Sequence, residues 1–310
     1  MDGFGEIGVF VRVIEAHGFT RAGKSLGLTA SGVSRVMSRL EERLGVRLLE
    51  RTTRSIGLTA EGAAYYERCT KILRELEDAN IALAGVRAAP SGRLRVDAPS
   101  ALGRFVIAPA IPRFLAKHPA LSLELSLRDH VIDPIAEGID VVVRMTEPRD
   151  SELIAKKIGA MPVHLVASPR YLKQRGRPSS PQDLRRHDTI GFLAGGSSLP
   201  WRFSAGGQDT TYTPTGRLHS NSTDAIRAAA LSGLGIAQVL EVLVRDELAS
   251  GELEVVLRDR EPPPRAIYAL FTRDKATLPK VRVFLALLGE ALEASAAKKP
   301  RRRRAPHRRA

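Results

Sequence analysis

Apolar positions in the first sixty residues recur with helical spacing. Ile7, Phe10, Val11 and Ile14 follow the i, i+3, i+4, i+7 rule of a buried helix face. Thr20 is placed to cap a second helix that Gly27 ends, and Thr29 to cap a third that stops at Gly45. On that third helix Val36, Met37, Leu40 and Leu44 fall within about 60° of Val33 at 100° per residue. Ser31, Ser34, Arg35, Ser38 and Arg39 fall on the other side. Val46, Leu48 and Leu49, the polar stretch Arg51-Thr52-Thr53-Arg54, then Ile56 and Leu58 predict two short strands around an exposed tip. From Thr59 to about Arg87 one long helix is predicted, roughly 42 Å at 1.5 Å per residue. Its apolar positions Tyr65, Cys69, Ile72, Leu76, Ala79, Leu83 and Val86 alternate at spacings of four and three, a heptad seam that asks for a partner helix. The competing reading packs that seam on its own domain.

Beyond Pro90-Ser91-Gly92 the period changes. Strands are predicted at Leu94–Ala98, Leu121–Leu127, Val141–Arg144, Val163–Ala167, Thr189–Leu193, Gly235–Val239 and Ile267–Phe271, with helices between them. That alternation predicts an α/β domain of mostly parallel strands. Gly195-Gly196-Ser197-Ser198 reads as a surface loop or a mobile lip.

Composition narrows the class. The 310 residues are 43% hydrophobic and 26% charged, ordinary for a folded chain. No uncharged run approaches the roughly 18 apolar residues of a membrane helix, and Asp2 and Glu6 do not suit a signal peptide. A cytoplasmic location is expected, and no membrane partner. A single cysteine, Cys69, excludes an intrachain disulfide. The net charge is +14, of which eight charges lie in residues 298–310, a tail expected to be disordered. From Arg21 to Arg54 there are eight Lys/Arg against three acids, which points toward nucleic acid.

The third helix, with one buried face and one face of hydroxyls and guanidinium groups, fits the reading helix of a helix-turn-helix, against a solvated face on an ordinary bundle. The ordered string decides between them. It runs from Phe10-Val11-Arg12-Val13-Ile14-Glu15-Ala16-His17-Gly18-Phe19-Thr20 through Thr29-Ala30-Ser31-Gly32-Val33-Ser34-Arg35 and Leu40-Glu41-Glu42-Arg43-Leu44-Gly45 to Arg51-Thr52-Thr53-Arg54 and Leu58-Thr59-Ala60-Glu61-Gly62. This closely resembles the winged helix-turn-helix of LysR-type transcriptional regulators over about the first ninety residues. A shorter phrase, Ala228 to Ile236, continues the resemblance.

The resemblance implies an α+β multidomain chain. It would comprise a winged helix-turn-helix (1–60), a linker and dimerisation helix (61–90), and a periplasmic-binding-protein-like, two-lobed α/β effector domain (91–297). Lobe I would hold 91–162 and 267–297, and lobe II 163–266, with the basic tail 298–310 beyond. The implied DNA contacts are Thr29, Ala30, Ser31, Ser34, Arg35, Ser38 and Arg39 on the reading helix and Arg51, Thr53 and Arg54 on the wing. Ala30 stands where the family often has Gln or Pro, so glutamine base reading is absent. The implied effector cleft takes Ser100, Ala101, Arg144, Phe192, Asn221, Asp224 and Gln238. Two helix starts, near Ser100 and near Asn221–Thr223, would favour an anionic effector. The implied partners are operator DNA, a small-molecule effector, a second or further copy of the chain along the seam, and RNA polymerase as an additional candidate.

Catalytic motifs do not support an enzyme. The sequence contains no Gly-x-Ser-x-Gly, Walker or His-Glu-x-x-His pattern, and Gly233-Leu234-Gly235 lacks the third glycine of a dinucleotide fingerprint. The seven histidines are scattered, and neither cofactor nor metal is expected. The alternative function is a cytoplasmic small-molecule-binding protein, or an enzyme carrying an appended helix-turn-helix.

Overall fold

The computed structural model describes residues 3–51, 56–83, 89–146, 152–205 and 208–297. The expectations for Thr53, Arg54, Val86 and the tail from Lys298 lie outside the described residues, as do those for the side chains of Arg51 and Leu83. The chain divides into two units, Met1–Ala88 and Ala89–Ala310. Among the described residues no helix is long and apolar enough to cross a membrane.

The first unit contains α1 (Gly3–Glu15), α2 (Phe19–Leu26), α3 (Ala30–Leu44), the antiparallel pair β1 (Leu49–Arg51) and β2 (Ile56–Leu58), and α4 (Ala60–Leu83). Gly27 and Gly45 end α2 and α3 in the left-handed conformation that only glycine adopts without strain. Thr29 caps α3 by accepting from Gly32 N–H at 3.1 Å. Thr20, by contrast, does not cap α2. The helix starts one residue earlier, at Phe19, and the cap position is Gly18. Glu41 reaches past the end of α3 to accept from Leu48 N–H (2.7 Å) and Leu49 N–H (3.0 Å), which fixes where β1 starts. A Cβ at Gly62 would collide with the Leu48 carbonyl, so glycine lets α4 leave tight against the strand pair.

Phe10, Val13, Val33, Met37, Leu40 and Leu48 form the centre of this unit's core. The long helix contributes to it: Tyr65 packs tilted and Tyr66 edge-on against Phe10, at centroid distances of 5.6 and 6.2 Å. The predicted seam therefore divides. Tyr65 and Cys69 belong to the core of their own unit, because the first turns of α4 lie on α1. Ile72, Leu76 and Ala79 are exposed in the single chain.

The second unit holds two five-membered sheet paths. The first, in the order β4-β3-β5-β15-β6, consists of β3 (Gly92–Ala98), β4 (Leu121–Leu127), β5 (Val141–Arg144), β6 (Ile154–Met161) and β15 (Arg265–Phe271). The second, in the order β12-β8-β13-β7-β14, consists of β7 (Val163–Ala167), β8 (Thr189–Ala194), β12 (Leu218–Ser220), β13 (Ile236–Leu240) and β14 (Glu254–Val256). Between β8 and β12 lie β9 (Ser197–Ser198), paired to β8, and the hairpin β10 (Trp201–Ala205) and β11 (Gln208–Tyr212). The helices are α5 (Ser100–Leu102), which runs through a π-turn (Gly103–Ile107) into α6 (Ala108–Lys117), then α7 (Pro169–Arg175), α8 (Thr223–Leu231), α9 (Glu241–Ser250) and α10 (Pro279–Ala297).

The sheets are mixed, which corrects the expectation of mostly parallel strands. Only Pro162 separates β6 from β7, so one nearly continuous extended segment passes from the first sheet to the second. β15 returns beside β6 and runs antiparallel to both β5 and β6. β7 runs antiparallel to both β13 and β14. The stretch Gly195–Ser198 is a tight hairpin rather than a lip. Leu193 pairs with Ser198 across Gly195 and Gly196, both left-handed at φ 58° and 81°.

Candidate DNA interface and ligand cleft

On α3 the inner side chains Val33, Val36, Met37 and Leu40 are buried. Ala30, Ser31, Arg35, Ser38 and Arg39 are exposed, and Ser34 is half-buried. Thr29 spends its hydroxyl on the cap and on Ser31 Oγ at 3.1 Å, so its part in this face is to hold the helix start. Among the described residues, no carboxylate pairs with Arg35 or Arg39, whereas Arg43 is held by Glu6 at 3.1 Å. Two unpaired guanidinium groups and three hydroxyls on a rigid, capped helix can meet phosphates and base edges.

Along α4, burial raises the pKa of the Tyr65 phenol to about 12, with its hydrogen bond to Cys69 adding to the shift. Burial also pushes the pKa of the Cys69 thiol up, which disfavours the nucleophilic thiolate.

In the second unit a cavity of about 70 Å³ lies between elements of the two sheets. Ala101, Asp129, Met145 and Arg265 line it from the first sheet and its connections; Val163, Phe192, Thr223, Ile226, Gln238 and Leu243 are among those from the second. Three of the seven expected cleft residues, Ala101, Phe192 and Gln238, are in this wall. The other four are placed elsewhere.

Ser100 does not cap its helix. The cap position is Pro99, and the Ser100 N–H donates to Asp129 Oδ1 at 3.0 Å, so this helix start already has an acid. Asn221 is exposed, and Ser222 is the residue that caps α8, accepting from Ala225 N–H at 3.3 Å. Arg144 lies 2.7 Å from Asp97, a carboxylate with no exposure at all, which Arg128 also binds at 2.5 Å. Its guanidinium is therefore committed to a buried ion cluster. Asp224 is bound by Arg104.

Arg265 was not anticipated, although a lone arginine just before the predicted strand Ile267–Phe271 was a usable signal. It donates from Nη2 to Gln238 Oε1 at 3.2 Å. Burial, and then the nearby charge of Arg202, lower its pKa from the ordinary arginine value. A larger open groove of about 720 Å³ lies elsewhere on this unit, lined by His164, Glu241, Arg245 and Glu261 among others. Several of its polar groups are paired with one another: His164 Nδ1 lies 3.1 Å from Glu261, and Arg245 3.2 Å from Glu241. In the wall of the smaller cavity, Gln238 Nε2 is buried without a hydrogen-bond partner. Among the described residues no cluster of His, Cys, Asp or Glu is arranged to hold a metal ion.

The two units match two family models. Residues 4–63 match the bacterial regulatory helix-turn-helix protein, lysR family, and residues 87–293 match the LysR substrate binding domain. The transcriptional regulator CrgA of Neisseria meningitidis serogroup C (strain 8013) is 36% identical over 291 residues, covering 93% of this chain and 96% of the relative. The transcriptional activator AaeR of Escherichia coli K12 is 35% identical over 286 residues, covering 92% of each. The solved structure of CrgA from Neisseria meningitidis superimposes with a TM-score of 0.59 at 34% identity, covering 93% of this chain and 98% of that one. These relatives are regulators and not enzymes. With an exposed basic reading helix in one unit and a two-sheet ligand domain in the other, the chain belongs to the LysR family of DNA-binding transcriptional regulators.

Proposed function

We propose that this regulator binds operator DNA as an oligomer and changes that binding when a small anionic effector occupies the cleft of its second unit. Residues 1–60 form the DNA-binding domain in this reading, 61–90 the linker helix and 91–297 the effector domain. Ser31, Ser34 and Arg35 enter the major groove, Ala30 and Ser38 flank them, and Arg39 anchors to phosphate with the wing residues Arg51, Thr53 and Arg54. The observation that carries it is the outer face of α3, where Arg35 and Arg39 stand exposed without acid partners among the described residues while the opposite face is buried. Ile72, Leu76 and Ala79, exposed along α4, support an oligomer, since two copies would read two half-sites.

Footprinting of the full chain on a duplex from upstream of its own coding sequence tests this. Two protected half-sites about one or more helical turns apart are expected. Equal affinity for that duplex and for random DNA at every salt concentration would overturn it.

A further inference from the structure

We propose that the cleft takes a small monocarboxylate with a compact apolar body, its carboxylate held jointly by the Arg265 guanidinium and the Gln238 amide NH₂. The inference rests on reading the cleft as the effector site, and it adds the chemical class of the effector and the two residues that select it.

The argument starts from unmet hydrogen bonding. A guanidinium stays charged in a protein and can only donate. Among the described residues no carboxylate lies within ion-pair distance of Arg265, and Gln238 Oε1 is the acceptor it has. Because Arg265 cannot accept, the Gln238 amide must turn its oxygen toward it. The Nε2 group on the other side of that amide is buried and has no partner. A half-buried cation with one amide oxygen as its acceptor, and a buried NH₂ with none, thus line the same cavity, joined through one amide. A carboxylate supplies two oxygens carrying one charge, one for each donor.

The rest of the wall sets the body of the ligand. Met145, Val163, Phe192, Ile226, Leu240 and Leu243 offer no hydrogen bonds from their side chains. A cavity of about 70 Å³ has room for only a few water-sized atoms, which favours a compact body. A phosphate would leave several oxygens against apolar carbon, at high desolvation cost. A second carboxylate is disfavoured as well. Asp129 already places a negative charge in the wall, and Arg265 is the sole cation among the described lining residues.

Calorimetric titration of the full-length protein tests the class. The probes are propanoate, butanoate, 2-methylpropanoate and benzoate, each beside its primary amide, with succinate as the dicarboxylate. At least one monocarboxylate is expected to bind, with its amide weaker by roughly tenfold or more and with succinate weaker than butanoate. Gln238→Glu keeps the side-chain size and supplies Arg265 with a built-in carboxylate, so it should abolish binding; Arg265→Met should weaken it by roughly tenfold or more. Melting curves of both unliganded variants report folding, and if Arg265→Met does not fold, Gln238→Glu decides. The class is wrong if no monocarboxylate binds, if amides bind equally, if succinate binds more tightly, or if the folded variants keep wild-type affinity. Footprinting of the wild-type protein runs in parallel. Specific DNA protection without carboxylate binding would refute the ligand class alone, whereas loss of specific protection would strike the regulator reading itself.

Discussion

Arg104 and Asp224, 120 positions apart in the chain, meet through one guanidinium nitrogen that lies 2.9 Å from each carboxylate oxygen. Arg104 sits on the π-turn after α5, and Asp224 in the first turn of α8, so the pair ties the two halves of the second unit together beside the cleft. It also offsets the negative charge that Asp224 would otherwise present to an anion. The side chains are 60% and 52% exposed, so solvent screens them and the pair contributes little to stability. A double-mutant cycle of Arg104→Ala and Asp224→Ala, followed by urea unfolding, should give a coupling no larger than about 1 kcal/mol. A coupling above about 2 kcal/mol would mean that the pair is desolvated in solution.

The Asp97 cluster should behave in the opposite way. Its carboxylate has no exposure and is bound by both Arg128 and Arg144, of which Arg128 also holds Glu137 at 2.6 Å. Hydrogen bonding to Asp97 is the main reason the pKa of Arg128 is raised. Asp97→Asn would leave Arg144 with only backbone carbonyls and Arg128 with Glu137 as its remaining carboxylate, and breaking such a buried cluster costs about 3–5 kcal/mol. Denaturant unfolding should show that loss. A change below about 1 kcal/mol would show that water replaces the missing charge.

Arg35→Ala should weaken binding to the operator more than binding to random duplex, by about 1–3 kcal/mol if the side chain pairs with a base edge. Arg39→Ala should lower both affinities alike. Fluorescence anisotropy on the two duplexes separates these outcomes, and equal losses for Arg35→Ala would assign that residue to the phosphate backbone.

Leu76 is 47% exposed on α4 in the single chain. If the far half of the seam is an interface, Leu76→Glu buries an uncompensated charge on assembly and should disperse the oligomer. Sedimentation velocity would detect the lighter species. An unchanged sedimentation coefficient would place the interface elsewhere.

Tyr65 provides a pH test. Its folded pKa of about 12 exceeds the ordinary tyrosine value of about 10, so the folded state holds the phenolic proton longer than the unfolded state does. The stability this contributes is therefore complete below about pH 10 and fades between about 10 and 12. Burial raises the pKa of Tyr171 as well, so an ultraviolet titration of phenolate absorbance should show more than one late-ionising tyrosine, of which Tyr65→Phe removes one. If the variant titrates like the parent, Tyr65 is not among them.

Much of the first unit could be read from local pattern. The inward face of α3, its Thr29 cap and its Gly45 stop depend on residues within a turn or two of one another, and a helix with one apolar face has a single way to bury it. The strands Leu121–Leu127, Val141–Arg144 and Val163–Ala167 were legible for a related reason: β-branched and leucine-rich runs of that length have few other stable conformations. The strand Ile154–Met161 was not legible. It lies at a sheet edge with Lys156 and Lys157 exposed, so no alternation marks it.

The cleft depended on long-range geometry. Arg265 meets Gln238 because β15 enters the first sheet beside the point where β6 hands over to β7, whose neighbour β13 carries Gln238. Asp129 occupies the Ser100 helix start, and Asp97 holds Arg144, through parallel pairings of β3 with β4 and β5. A one-dimensional pattern records period, caps and apolar faces, since those are settled between near neighbours. Which charge finds a partner is settled by strand order, because it brings distant residues to the same few ångströms.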